Sequence, residues 1–192
     1  MNKQIKKLVF CAIMIALATV LNMIRVVQMP LGGEITLLSM LPIAVMSITL
    51  GIGWGLGGAF VYSLIQFLFG IAVDGLFAWG LGPVQLIACI VLDYLFAFTA
   101  LGLAGLFRNR KYGAVYGTAL ALFTRFLCHL LSGYIIFANF EKFVIFGHSF
   151  MDKPLLYSIC YNGTFMLPEL IITCFAVFVI SKTKLFDRMK IS

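Results

Sequence analysis

The chain is poor in charge and poorest in acid: 11% of its 192 residues are charged, and only seven are Asp or Glu. A soluble domain carries about a quarter charged residues, so an ordinary water-soluble fold is excluded. The phosphate-cradling run G-x-x-x-x-G-K-[ST] is missing, so the chain is expected to carry no ATPase of its own. Uphill work would then draw on an ion gradient or on a partner. H-E-x-x-H and G-x-S-x-G are missing too, which removes the usual starting points for a metalloprotease or a serine hydrolase. There are two histidines and no C-x-x-C pair, and neither a metal nor a cofactor is expected. Cys11, Cys89, Cys128, Cys160 and Cys174 stand singly in apolar runs and read as small packing residues rather than disulfide partners.

What the chain does have is apolar length. Hydrophobic residues make up 62% of it, and the mean hydropathy is +1.08. A spanning helix takes roughly 20 apolar residues, so the length accommodates about six spans and one membrane domain covering residues 1–192. The apolar runs and their polar or proline breaks place these spans at about 5–27, 35–50, 54–73, 83–107, 112–140 and 154–180. Pro42 and Pro168 fall inside expected spans and read as kinks, whereas Pro83 and Pro154 suit first turns. The expected fold is an all-α bundle of six transmembrane helices. Its first run is too long for a signal-peptide core and is expected to be retained.

The net charge of +7 has to be read by location. Lys3, Lys6 and Lys7, then Arg108, Arg110 and Lys111, then Lys182, Lys184, Arg188 and Lys190 all fall on one side of a six-span topology. Asp74, Glu141 and Asp152 fall on the other. The positive-inside rule therefore puts both termini in the cytoplasm, and nucleic-acid binding gains no support. Trp54 and Trp79 lie at span ends and read as interfacial anchors. Ala12 and Ala16 form an A-x-x-x-A step, and Gly53, Gly57 and Gly58 open the third span. Such stripes let helices approach closely, either within the bundle or against a partner.

Ionisable groups inside spans are costly and mark function by default. Asp93, Arg125, His129 and Glu169 are of this kind. Counting along the expected helices, Asp93, His129 and Asn162 all lie about 12–17 Å below the outer surface, on three different spans. Arg125 shares a face with His129 one turn deeper. That describes a pocket open to the outside and closed towards the cytoplasm. Tyr94, Phe137, Tyr157 and Tyr161 lie beside or above these groups. A carboxylate among aromatic faces suits a flat heterocycle bearing a cation or an amine. The competing reading is a structural Asp93–Arg125 ion pair joining two spans. Glu169 fits either a structural hydrogen bond or a role in coupling. Asn162-Gly163-Thr164 matches a glycosylation sequon but sits at membrane depth.

Four segments carry a family resemblance: Met29-Pro30-Leu31-Gly32-Gly33; Asp93-Tyr94-Leu95-Phe96-Ala97-Phe98 running into Leu101-Gly102-Leu103-Ala104-Gly105-Leu106-Phe107; Arg125-x-x-x-His129-x-x-x-Gly133; and Tyr157-Ser158 with Tyr161-Asn162. In this order the chain resembles the substrate-binding S-components of energy-coupling factor (ECF) vitamin transporters, in particular the thiamin-specific ones. The resemblance implies a multi-pass protein of a bacterial plasma membrane that binds a vitamin and is not itself an enzyme. It further implies docking on a transmembrane T-component and two cytoplasmic ATP-binding subunits, with Ala12 and Ala16 facing the T-component. The ligand groups it implies are Asp93, Tyr94, Arg125, His129, Phe137, Tyr157 and Asn162. Three departures stand out. Phe137 replaces a Trp, the first loop has Glu34 and small residues where another Trp can lie, and the acid is Asp rather than Glu. Phe is a weaker platform for a cation than Trp, so thiamin, a close pyrimidine relative and another vitamin all remain open at this point. An intramembrane enzyme using Asp93, His129 and Asn162 is the third class of function. Ser132 stands poorly for it, only three residues after His129 on one helix.

Overall fold

Backbone groups in lipid must be satisfied within the chain, which favours long apolar helices. The computed structural model describes residues 2–29, 32–136, 144–145, 148–149, 153–183 and 185–189. Among these, five helices are long and apolar enough to cross a membrane: α1 (Lys3–Asn22), α3 (Ile52–Ala72), α4 (Pro83–Gly105), α5 (Gly113–Ile135) and α6 (Pro154–Lys182). Between α1 and α3 lies α2 (Leu41–Leu50), and α7 (Leu185–Met189) follows α6. The chain is thus a multi-pass membrane bundle of all-α type, with two small hairpins at its loops.

Two expected spans are corrected. The first was drawn to residue 27, but α1 stops at Asn22 and Arg25–Gln28 forms strand β1. β1 pairs antiparallel with β2 (Glu34–Thr36), in a register that sets Arg25 opposite Thr36 and Gln28 opposite Glu34. Apolarity alone extended the first span, because Val26 and Val27 suit a strand as well as a helix. The second was drawn over 35–50, but α2 has ten residues, about 15 Å of rise against a hydrocarbon core of about 30 Å. It is a core element, buried continuously from Pro42 to Ile48. Pro42 opens this helix rather than kinking it. Pro168 lies within α6, which runs on past it. A second hairpin pairs β3 (Val144–Ile145) with β4 (His148–Ser149).

Helix α4 changes pitch twice, and this positions the site. Its Ile90–Phe96 stretch is π-helical, with the Ala97 amide donating to the carbonyl of Leu92, and Ala100–Gly105 tightens to a 3-10 helix. The tight end is held by small residues. Ser47 Oγ donates to the Gly102 carbonyl at 2.5 Å and accepts from the Gly105 amide at 2.9 Å. A Cβ on Gly102 would stand 2.6 Å from the Leu56 backbone of α3. Here the lack of a side chain lets two helix backbones meet.

The first hairpin is fastened across the end of the bundle. Arg25 Nε lies 2.7 Å from Glu34, and its Nη1 lies 2.5 Å from Asp74 at the end of α3. The Thr36 amide and hydroxyl both donate to Glu169 of α6, at 2.5 and 2.8 Å. Burial pushes the Glu34 carboxyl up to about 7, opposed by Arg25 and reinforced by neighbouring Asp74. One guanidinium shared by two carboxylates cannot fully offset the loss of water.

Two outcomes follow from this packing. Gly102→Ala should lower the melting temperature of the detergent-purified protein, overpacking of this kind costing about 1–3 kcal/mol. Gly57→Ala should not lower it, since nothing lies within 4 Å of that Cβ position and alanine favours the helix; equal melting temperatures for both would deny the close α3–α4 approach. The second outcome concerns pH. The fold takes up a proton at Glu34 near 7, whereas the unfolded chain does so near 4.5. The associated stability is therefore complete below pH 4.5 and lost as pH rises through 7, a change on the order of 2 kcal/mol. Melting curves from pH 5 to 8 should show the decline, and Glu34→Gln should flatten it.

Candidate functional site

The site grows from the wide turn of α4. Asp93 lies within the π-helical stretch and faces α5, which supplies two of the three donors that meet its carboxylate; the third comes from α4 itself. Ser132 Oγ donates to Oδ2, His129 Nδ1 lies 2.8 Å from Oδ1, and Cys89 Sγ lies 3.3 Å from Oδ2. On the other side of the imidazole, Arg125 Nε donates to His129 Nε2 at 3.2 Å. With Nε2 accepting, the ring proton sits on Nδ1 and points at Asp93. Asp93 and Arg125 are therefore joined through His129 and not by the direct pair considered from the sequence.

Arg125 is itself 4% exposed. Its guanidinium carbon lies 4.1 Å from the centre of the Phe98 ring, and Nη1 lies 2.8 Å from Met40 Sδ. Two soft, polarisable neighbours thus hold a cation that among the described residues bonds no carboxylate directly. Tyr94, next to Asp93, is buried against α3, where Gly70 makes room: a Cβ there would stand 2.3 Å from the Tyr94 hydroxyl.

Helix α6 supplies the opposite wall. Tyr157 and Tyr161 stack with ring centres 5.7 Å apart, and Phe165 stands edge-on to both Tyr161 and His129. Asn162 Nδ2 donates to the His129 carbonyl at 3.1 Å and to the Ser158 carbonyl at 2.9 Å. The sequon is thus a buried helix contact. The first hairpin and the turn after α3 make the rim. Gly32, at φ 88°, lies against the Trp79 ring, whose Nε1 donates to the Asp74 carbonyl at 2.9 Å.

One cavity collects these groups. Asp93, Tyr94, Arg125, His129, Tyr157 and Asn162 all line it, so the structure brings together six of the seven ligand residues expected from the sequence. Phe137 lies outside the described residues. Sequence reasoning did not assign Ser132, Phe165, Asp74 or Trp79 to the ligand site, yet all four line the same cavity. Ser132 was legible, being seven residues after Arg125 and so on its face. Trp79 was read as an interfacial anchor, yet the turn after α3, with Gly75 at φ 66° and Gly80 at φ 73°, carries its ring onto the cavity. Glu34 is a rim residue, and Glu169 binds the return strand of the hairpin. Among the described residues no group of His, Cys, Asp and Glu could hold a metal ion.

Ala12 and Ala16 lie elsewhere. They line an apolar groove between α1 and α3 with Gly53 and Gly57, and all four are exposed. Nothing stands within 4 Å of a Cβ on Gly53 or Gly57, so packing inside the bundle does not require these glycines.

Comparison with known proteins supplies the family. A family model described as thiamine transporter protein (Thia_YuaJ) matches residues 8–187. The chain is 32% identical to the thiamine transporter ThiT of Bacillus subtilis (strain 168) over 187 residues, covering 89% of this chain and 88% of that one. A solved structure of ThiT from Listeria monocytogenes superposes with a TM-score of 0.72 at 23% identity, covering 96% of this chain and 99% of that one, and so shows a common fold. By the extent of the family match and the identity to its relative, this chain belongs to the thiamine transporter protein family, S-components of ECF transporters.

Proposed function

We propose that this chain is the substrate-binding subunit of an ECF importer and takes thiamin, or a close pyrimidine relative, into the cavity between α4, α5 and α6. One observation carries the reading: a carboxylate, an imidazole and a carboxamide from three helices line one cavity beside a stacked tyrosine wall. A flat molecule with a ring amine and a cationic ring satisfies such a lining, through hydrogen bonds at Asp93, charge pairing, and π contact with Tyr157, Tyr161 and Trp79. Trp79 supplies the indole face for which Phe137 had seemed a weak substitute. Arg125 and Ser132 hold His129 and Asp93 in place, and Tyr94 presses the turn against α3.

The hairpin rim faces outside in this reading and the basic loops face the cytoplasm of a bacterium. The protein catalyses no reaction; a T-component and two ATP-binding subunits would drive release. The exposed stripe of Ala12, Ala16, Gly53 and Gly57 fits the T-component, because small side chains let a second set of helices approach closely.

Titration of the purified protein with thiamin tests the assignment. Trp79 lines the cavity while Trp54 lies near Lys7 at the other end, so binding should quench the fluorescence of Trp79 and not that of Trp54. If another heterocycle is extracted from the purified protein and thiamin does not compete with it, the ligand assignment fails. Asp93→Asn should weaken binding by on the order of 2–4 kcal/mol, with folding checked by melting temperature. Unchanged affinity would leave Asp93 a purely structural partner of His129. Ala16→Trp should leave thiamin binding near normal and abolish ATP-dependent uptake in the assembled transporter. Normal uptake would remove the stripe from the interface.

A further inference from the structure

A second cavity lies at the end of the bundle where α1 begins and α6 ends. Lys7 of α1, Arg108 and Arg110 of the α4–α5 connection, and Lys182 of α6 all line it, and among the described residues no Asp or Glu does. Among the described residues none of the four makes an ion pair with a carboxylate. Cations drawn from three distant segments into one concavity repel each other unless an anion joins them. A general excess of basic residues on one side of a membrane explains their sign but not this convergence, since Lys3 and Lys6 lie on the same helix end outside the cavity.

The backbone adds to the same field. Gly113 and Ala114, which open the 23-residue helix α5, lie on the cavity wall; the Gly113 amide donates to the Arg110 carbonyl, and the preceding Tyr112 provides no side-chain cap for the Ala114 amide. Uncapped amides at a helix start favour negative charge. Arg108 is seated: Gly51, at φ 96°, has no Cβ, and that Cβ would stand 2.8 Å from the guanidinium. The Thr49 hydroxyl, also on this wall, is shielded from solvent and has no hydrogen-bond partner among the described residues.

We infer that this cavity binds a phosphoryl anion, presented by the headgroup of an anionic phospholipid or as free phosphate. Lys7, Arg108, Arg110 and Lys182 neutralise it, and the Ala114 amide and the Thr49 hydroxyl supply donors.

The test uses the full chain, delipidated in a neutral detergent. Its melting temperature is measured with phosphatidylglycerol, with phosphatidylcholine at equal mole fraction, and with inorganic phosphate. Phosphatidylglycerol should raise it by several degrees over phosphatidylcholine, since a ligand that binds only the folded state stabilises it. A comparable rise with millimolar phosphate alone supports the site and assigns the free ion as its source. The double variant Arg108→Gln, Arg110→Gln should lose the shift, whereas Lys3→Gln, Lys6→Gln, which removes equal charge outside the cavity, should keep it. Retained thiamin binding reports that the first variant is folded; should it be unfolded, Thr49→Val replaces it and should reduce the shift. No rise with either phosphate source, or an equal loss in both double variants, overturns the inference.

Discussion

The chain of contacts from Arg125 through His129 to Asp93 is the interaction on which the site depends. A cation and a carboxylate set between helices are each costly in a bilayer. Here a ring with one donating and one accepting nitrogen stands between them, so each charge meets a complementary dipole and neither collapses onto the other. A direct ion pair would have turned both groups towards each other and away from the cavity. The relay leaves both on the wall. Ser132 and Cys89 complete the shell around the carboxylate, which sets it in one orientation before any ligand arrives.

The rim is tied to this centre through the same few helices. Arg25 holds the hairpin to the end of α3, Glu169 holds its return strand to α6, and Gly33 leaves room for Tyr161 and Phe165 beneath it. A shift of α6 therefore reaches both the aromatic wall and the cover. The groove of Ala12 and Ala16 lies on α1, which leads into the hairpin, and on α3, whose end Arg25 reaches through Asp74.

Much of this was legible in the sequence, for physical reasons. Helices α3 to α6 announce themselves because a polar residue rarely interrupts twenty apolar ones without cause, and depth counting along them aligned Asp93, His129 and Asn162. The failures share one origin. Hydropathy measures transfer to an apolar medium and says nothing of backbone form, so Val26 and Val27 lengthened a helix that ends at Asn22, and α2 gained six residues that belong to the hairpin and its return. Trp79 was misplaced for a related reason. Its position depends on two glycines with positive φ, which turn the chain back over the bundle.

The π-helical stretch of α4 carries a consequence of its own. An extra residue per turn rotates everything above it relative to everything below. Below, the helix is locked by Gly102 and Gly105 against Ser47 and Leu56. The wide turn itself presents Asp93 and Tyr94 to the cavity. Widening or narrowing that turn by substitution would swing Asp93 and Tyr94 around the helix axis while the locked half stayed in register. One scaffold could in that way offer differently shaped cavities with its helix-to-helix seams intact.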